Sequence, residues 1–135
     1  MDTLDNVYGG QAGFIKIDVE GHQQAVLEGA LQTIRRCRPR LLVEVEERLS
    51  PGGLAPARAY FKGLGYTGYF VCKGKLEPID RFSVAEHQQP ANVPDLTAPL
   101  TGRQRFGRYL YNFIFLPPGE PDSTLDRMSD RLKRL

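Results

Sequence analysis

The stretch GFIKIDVEGHQQAVLEGALQTIRRCRPRLLVEVEE, Gly13 to Glu47, decides the fold. Phe14-Ile15-Lys16-Ile17-Asp18 is a short β-rich run whose apolar residues predict a largely buried strand. Asp18-Val19-Glu20-Gly21 then turns the chain, and Gly21 supplies backbone freedom or close packing there. From His22 to Arg36, Val26, Leu27, Ala30, Leu31 and Ile34 recur at helical spacing and make one apolar stripe. Gln23, Gln24, Glu28, Gln32 and Arg35 fall elsewhere on that helix. Gly29 costs a helix about 1 kcal/mol relative to alanine, so close packing onto a sheet is expected at that position. Arg35, Arg36 and Arg38 complement the helix C-terminal dipole, and Pro39 stops the helix. Arg40 to Glu46 is a second strand. The connection is too long for a hairpin and contains a helix, so the two strands are expected to be parallel with a right-handed crossover.

Working outward, Tyr8 to Gly13 is a glycine-rich loop that precedes a strand. A phosphate-cradling loop follows a strand and opens a helix, so a plain connection is expected. Downstream, Ser50-Pro51-Gly52-Gly53 is a loop, and Leu54 to Leu64 reads as a helix with Ala57, Tyr60, Phe61 and Leu64 on its apolar face. Thr67 to Cys72 is a third strand, and Lys73-Gly74-Lys75 turns it toward a short partner, Leu76 to Ile79. Pro78 keeps that partner at an edge. Residues 80–108 lack a clear period, and Tyr109 to Leu116 is the last strand. Residues 1–119 make one domain and 120–135 a tail. Within the tail, Ser123 is a cap candidate for a helix with a Leu125, Met128, Leu132 and Leu135 stripe, a frayed end being the alternative. The pattern predicts an α/β sheet, mostly parallel with an antiparallel strand late, in which one face is thinly covered.

Composition excludes more than it selects. The 135 residues are 41% hydrophobic and 25% charged, as in an ordinary globular domain. A formal charge of +2, with basic and acidic residues interspersed, gives no case for nucleic acid. No apolar run approaches the ~20 residues that span a bilayer. Met1 to Gly10 has no apolar targeting core. Cys37 and Cys72 lack metal-ligand spacing and read as two reduced thiols of a cytoplasmic protein.

Open α/β sheets bind ligands outside the carboxyl ends of their strands. Asp18 and Glu20 end the first strand, and Glu44, Glu46 and Glu47 end the second. Neighbouring strands lie about 4.8 Å apart, so up to five carboxylates are expected to share one rim. Such a cluster can raise one pKa and create an acid or base. The alternative is helix capping by Asp18 or Glu20 and a solvated Glu44-Val45-Glu46-Glu47 run. Function comes ahead for the cluster, and the structural reading for Glu46 and Glu47 singly. His22 follows at once, as a base or substrate contact on one reading and a surface histidine on the other. Asp18-x-Glu20-x-His22 straddles a turn, so no metal is expected there. His87 is read as structural. Ser50 to Gly53 has the order of an anion-binding loop but lacks the Lys-Ser/Thr of a P-loop. Arg103, Arg105 and Arg108 with Tyr109 and Tyr111 make a basic-aromatic cluster, either touching a substrate or running as a solvated loop into the last strand.

At these residues the sequence resembles the FkbM family of S-adenosylmethionine-dependent methyltransferases. The matching text is Thr3-Leu4-Asp5, Phe14 to His22, Val26 to Ala30, Arg38-Pro39, Leu42 to Val45, Gly65-Tyr66 and Asn112 to Pro117. The resemblance implies a Rossmann-like sheet of seven strands. Residues 14–18, 40–46, 67–72 and 112–116 would be strands four, five, six and seven. The first three strands and the glycine-rich cofactor loop would lie before Met1. The expectation is therefore a partial Rossmann-like methyltransferase sheet, the C-terminal half of the domain, with no cofactor-binding residue of its own and weak or no binding of S-adenosylmethionine. The implied activity is methyl transfer to an oxygen of a small molecule or sugar. Asp18, Glu20 and His22 are the catalytic candidates and Glu44 the substrate-binding one. Partners are expected to be that acceptor and either a second copy or a complementing chain, with neither nucleic acid nor membrane. A non-catalytic half-domain docked on another chain is the competing reading.

Overall fold

The computed structural model describes residues 2–93 and 108–133. Leu4–Val7 forms a short helix, α1, and Phe14–Ile17 the first strand, β1. Helices α2 (Gln23–Glu28) and α3 (Leu31–Cys37) lead to β2 (Arg40–Glu44). Helix α4 (Leu54–Gly63), the hairpin β3 (Thr67–Cys72) and β4 (Lys75–Pro78), a 3-10 turn at Ile79–Arg81 and α5 (Val84–His87) follow. Strand β5 (Asn112–Leu116) and α6 (Asp122–Leu132) complete the order. No described helix is long and apolar enough to cross a membrane.

The α/β class stands, but the sheet is not mostly parallel. Its order is β1-β2-β5-β3-β4, with one parallel pair, β1 with β2, and three antiparallel ones. The reason lies in β5. Asn-Phe-Ile-Phe-Leu is the most apolar strand, and it takes the central place between β2 and β3. There it runs antiparallel to both, pairing Val43 with Phe113 and Phe70 with Phe113. β2 and β3 still point the same way, but the inserted strand replaces one parallel contact by two antiparallel ones.

One face of the sheet carries Ile17, Leu41, Val43, Val45, Phe70, Phe113 and Phe115, none more than 2% exposed. Leu27, Ala30 and Ile34 from α2–α3, and Leu54, Ala57 and Phe61 from α4, close this core. Phe61 stacks on Phe115 with ring centroids 3.8 Å apart. On the opposite face Lys16, Leu42, Glu44 and Ile114 are half-buried or exposed, although Leu116 is buried, so that face is the more thinly covered one. β1 is an edge strand rather than a largely buried one: only Ile17 is buried, and Phe14 is 60% exposed. β4 is the other edge, where Pro78 costs no ladder bond.

The single helix expected over His22–Arg36 is two. The break falls at Gly29-Ala30, where Asp5 intrudes. The Asp5 N–H donates to the Gly29 carbonyl (3.0 Å), and the Asp5 carboxylate accepts the N–H groups of Gln32 (2.9 Å) and Thr33 (2.8 Å). A residue some 27 positions away thus caps α3. A Cβ on Gly29 would lie 3.1 Å from Thr3, so its close approach is to the segment leading into α1, not to the sheet. Gln23, expected off the apolar stripe, is 3% exposed and donates to Ser50 Oγ. Lys73 and Gly74 both take positive φ in the β3–β4 turn. The tail contains α6, which packs on β4. It starts at Asp122 after Pro121, so Ser123 is not its cap, and Leu135 lies outside the described residues.

Candidate functional site

A cleft of about 270 Å³ opens at the carboxyl ends of β1 and β2. It is lined by Asp18, Glu20 and Gly21 from the turn after β1, and by Glu44, Glu46, Arg48 and Leu49 from the end of β2. Val93, Tyr109 and Tyr111 complete it. The sheet builds it directly. Ile17 pairs with Val43 in parallel, so the next acidic residues of both strands emerge side by side.

Charges within the cleft are only partly matched. Lys16 Nζ reaches Asp18 Oδ2 at 2.8 Å and Glu44 Oε1 at 3.7 Å. The hydrogen bond from Lys16, then contact with the Glu44 carboxyl, hold Asp18 below the usual carboxylate range. Burial, then the Asp18 charge, push Glu44 above it. The two acids have different jobs available: Asp18 stays ionised, and Glu44 is the better place for a proton. Arg48 pairs with Glu46 at 2.7 Å. Glu20 is exposed and makes no hydrogen bond or ion pair among the described residues. Burial, then Glu46, raise the Tyr109 phenol. Burial, then Glu44, Glu46 and Asp18, do the same for Tyr111. The two rings sit 6.0 Å apart.

Asp18, Glu20 and Glu44 therefore meet in one cleft, and His22 does not join them. It is exposed at the start of α2, where its backbone N–H donates to the Val19 carbonyl. Glu47, counted among the five rim carboxylates, turns away. It accepts the N–H groups of Gly52 and of Leu54 (2.9 Å), so the donors of the Ser50–Gly53 loop already hold an anion, supplied by the chain. His87 stacks on Phe82 with centroids 4.8 Å apart and is structural, as expected. Of the basic-aromatic cluster, Arg103 and Arg105 lie outside the described residues, whereas Tyr109 and Tyr111 line the cleft.

Sequence reasoning missed Arg48 and Gln88. Glu46 and Arg48 stand two apart beyond the strand end, a spacing that hints at a pair. For Gln88 no sequence signal exists, because its partners are backbone atoms distant in the chain. It is 5% exposed. Its Nε2 donates to the carbonyls of Val45 (2.8 Å) and Leu110 (2.9 Å), and its Oε1 accepts from the Glu47 N–H (2.9 Å).

Neither glycine-containing loop suits a nucleoside cofactor. The Tyr8–Gly13 loop turns carbonyls, not N–H groups, inward: Arg36 donates to Gly9 O (2.7 Å), Gly10 O (3.0 Å) and Tyr8 O (3.3 Å). The other loop is filled by Glu47.

No curated protein and no solved structure matches the chain. The model of the methyltransferase FkbM domain matches residues 2–67, a span that runs from α1 to the start of β3 and includes Asp18, Glu20, Glu44, Glu46 and Arg48. The likeness to the methyltransferase FkbM domain is thus carried by residues 2–67, just under half of the chain.

Proposed function

We propose that the chain is the acceptor side of an FkbM-type, S-adenosylmethionine-dependent O-methyltransferase of the cytoplasm, acting on a hydroxyl of a small molecule or sugar. The observation that carries this reading is the Asp18–Glu44 pair at adjacent strand ends, inside the matched segment and open to a cleft. The β1-β2-β5-β3 order, with β5 antiparallel, is compatible with strands four, five, seven and six of a Rossmann-like sheet. About 270 Å³ suits one ring-sized group. Bound S-adenosylmethionine would supply the methyl group and leave as the thioether when its sulfur–methyl bond breaks, and Glu44 takes the proton that the acceptor hydroxyl gives up as its oxygen bonds to that methyl carbon. Asp18, ionised and pinned by Lys16, orients the hydroxyl and keeps Glu44 basic. Glu20 and Tyr111 hold the rest of the acceptor. Holding the hydroxyl in line is the larger part of the task, because methyl transfer depends on approach geometry.

The test is labelled methyl transfer from S-adenosylmethionine at millimolar concentration to a panel of sugars and hydroxylated small molecules. Wild-type transfer above background, lost in Glu44→Gln, is expected. Absence of transfer at every donor concentration sinks the catalytic reading.

One observation favours a second reading, a half-domain that docks on another chain. β1 is a sheet edge with Phe14 60% exposed, and such an edge invites another strand. That reading requires a stable dimer or heterocomplex, and a monomer by sedimentation across micromolar concentrations counts against it.

A further inference from the structure

The β2–β5 ladder ends where the cleft begins. Its last paired residues are Glu44 and Asn112, followed by one bond from the Val45 N–H to the Tyr111 carbonyl. Beyond that the strands part. Glu46 and Arg48 stay on one wall, and Tyr109 and Tyr111 form the other. In the gap sits the Gln88 amide. It donates to the Val45 carbonyl on the β2 side and to the Leu110 carbonyl on the β5 side, and it accepts the Glu47 N–H. The neighbouring His87 carbonyl accepts the Leu110 N–H at 2.9 Å. One side chain and one peptide thus bridge the two segments where the ladder has ended.

We propose that Gln88 is the positioning residue of the acceptor cleft: it fixes the separation of the carboxylate wall from the tyrosine wall. The proposal rests on the acceptor-site reading above. The side-chain hydrogen bonds of Gln88 go to Val45, Glu47 and Leu110, none of which lines the cleft, so it acts through the two backbones that carry the walls. Its own place is fixed by its N–H donating to the Val84 carbonyl (2.9 Å) and by the stacking of His87 on Phe82, itself buried against Phe70 and Phe113. The same segment runs on to Val93, which lines the cleft. A glutamine suits this task because its amide has two donors and an acceptor in one plane, and a buried amide with all three engaged is rigid.

Gln88→Met keeps the volume and removes all three bonds. Four of the five half-buried or buried tyrosines report on the result. Tyr109 and Tyr111 sit in the cleft beside carboxylates. Tyr60 and Tyr66 lie on the helix-covered face, where burial pushes both phenols up to about 12. Tyrosine ring titration by NMR of the folded variant is expected to show Tyr109 and Tyr111 shifted down toward an ordinary phenol as their wall moves off, with Tyr60 and Tyr66 unmoved. Gln88→Asn, with the same amide too short to span the gap, is expected to give the same selective shift if the methionine variant does not fold. Four tyrosines moving together, or no movement of Tyr109 and Tyr111 in a folded variant, overturns the proposal. The titration needs no methyl transfer, so it can fail while the methyltransferase reading stands, and the reverse.

Discussion

The helix-covered face and the strand-end rim use carboxylates in opposite ways. On the helix side, Asp5 and Glu47 each take two backbone N–H groups and become internal caps for α3 and for the loop that opens α4. At the rim, Asp18 and Glu44 face each other across adjacent strands and share one lysine, and Glu20 has no charged partner among the described residues. The first arrangement satisfies acids with fixed donors and stabilises the fold. The second crowds acids together and raises one of them. Glu44 is therefore expected to cost the fold something at neutral pH, a cost that a working site tolerates and a structural one has no reason to carry.

The comparison breaks most readily on the helix side. Phe61→Ala removes a ring stacked on Phe115 in a fully buried place, and a loss of about 3–5 kcal/mol is expected from chemical denaturation. A change under 1 kcal/mol there means that the core is not where stability resides. At the rim, Glu44→Gln is expected to lower methyl transfer by about 100-fold or more, the scale of a general base. The same substitution leaves the melting temperature unchanged or raised, since the amide needs no ionisation in a half-buried place. A fall in melting temperature with transfer retained reverses the assignment.

Smaller effects sharpen the contrast. Asp5→Ala is expected to cost about 1 kcal/mol, the value of a helix cap. Its pH dependence has a definite sign. Burial pushes the Asp5 carboxyl up, but the N–H groups of Gln32 and Thr33, with Arg36, outweigh it and hold the group below the ordinary range. Asp5 thus contributes stability above its unfolded pKa, near 4, and that contribution is lost as pH falls through the lower folded value. The wild-type advantage over Asp5→Ala should be constant from pH 5 to 8 and shrink below about pH 4. Advantage growing in acid contradicts the cap. Smallest of all, His22→Ala should change stability by less than about 0.5 kcal/mol and leave transfer intact, because His22 is exposed and outside the cleft. A large loss of transfer returns His22 to the site.

How much of this was legible from the residues follows from the range of the forces. The alternation in Phe14–Asp18, the stripe from Val26 to Ile34 and the run Arg40–Glu44 are local patterns, and they gave the parallel pair and the rim at its end. Asp18, Glu20 and Glu44 were found because strand ends in register put neighbouring residues together. What failed was non-local. The break at Gly29 depends on Asp5, the turning away of Glu47 on the Gly52 and Leu54 amides, and the order of the sheet on where the last strand inserts. Gln88 is the extreme case: three backbone atoms, from the segment leaving β2 and the segment entering β5, define its role, and nothing adjacent in sequence marks it.

The central claim is that the rim holds a coupled acid pair in which Glu44, not Asp18, has the raised proton affinity a base needs. Carboxyl-carbon NMR titration of Glu44 tests it most directly. In the wild type, Glu44 should titrate above an ordinary glutamate, because of burial and then the Asp18 charge. In Asp18→Asn, it should fall toward the ordinary value as that charge is removed and Lys16 is released to it. An ordinary Glu44 in the wild type, indifferent to Asp18→Asn, contradicts the account.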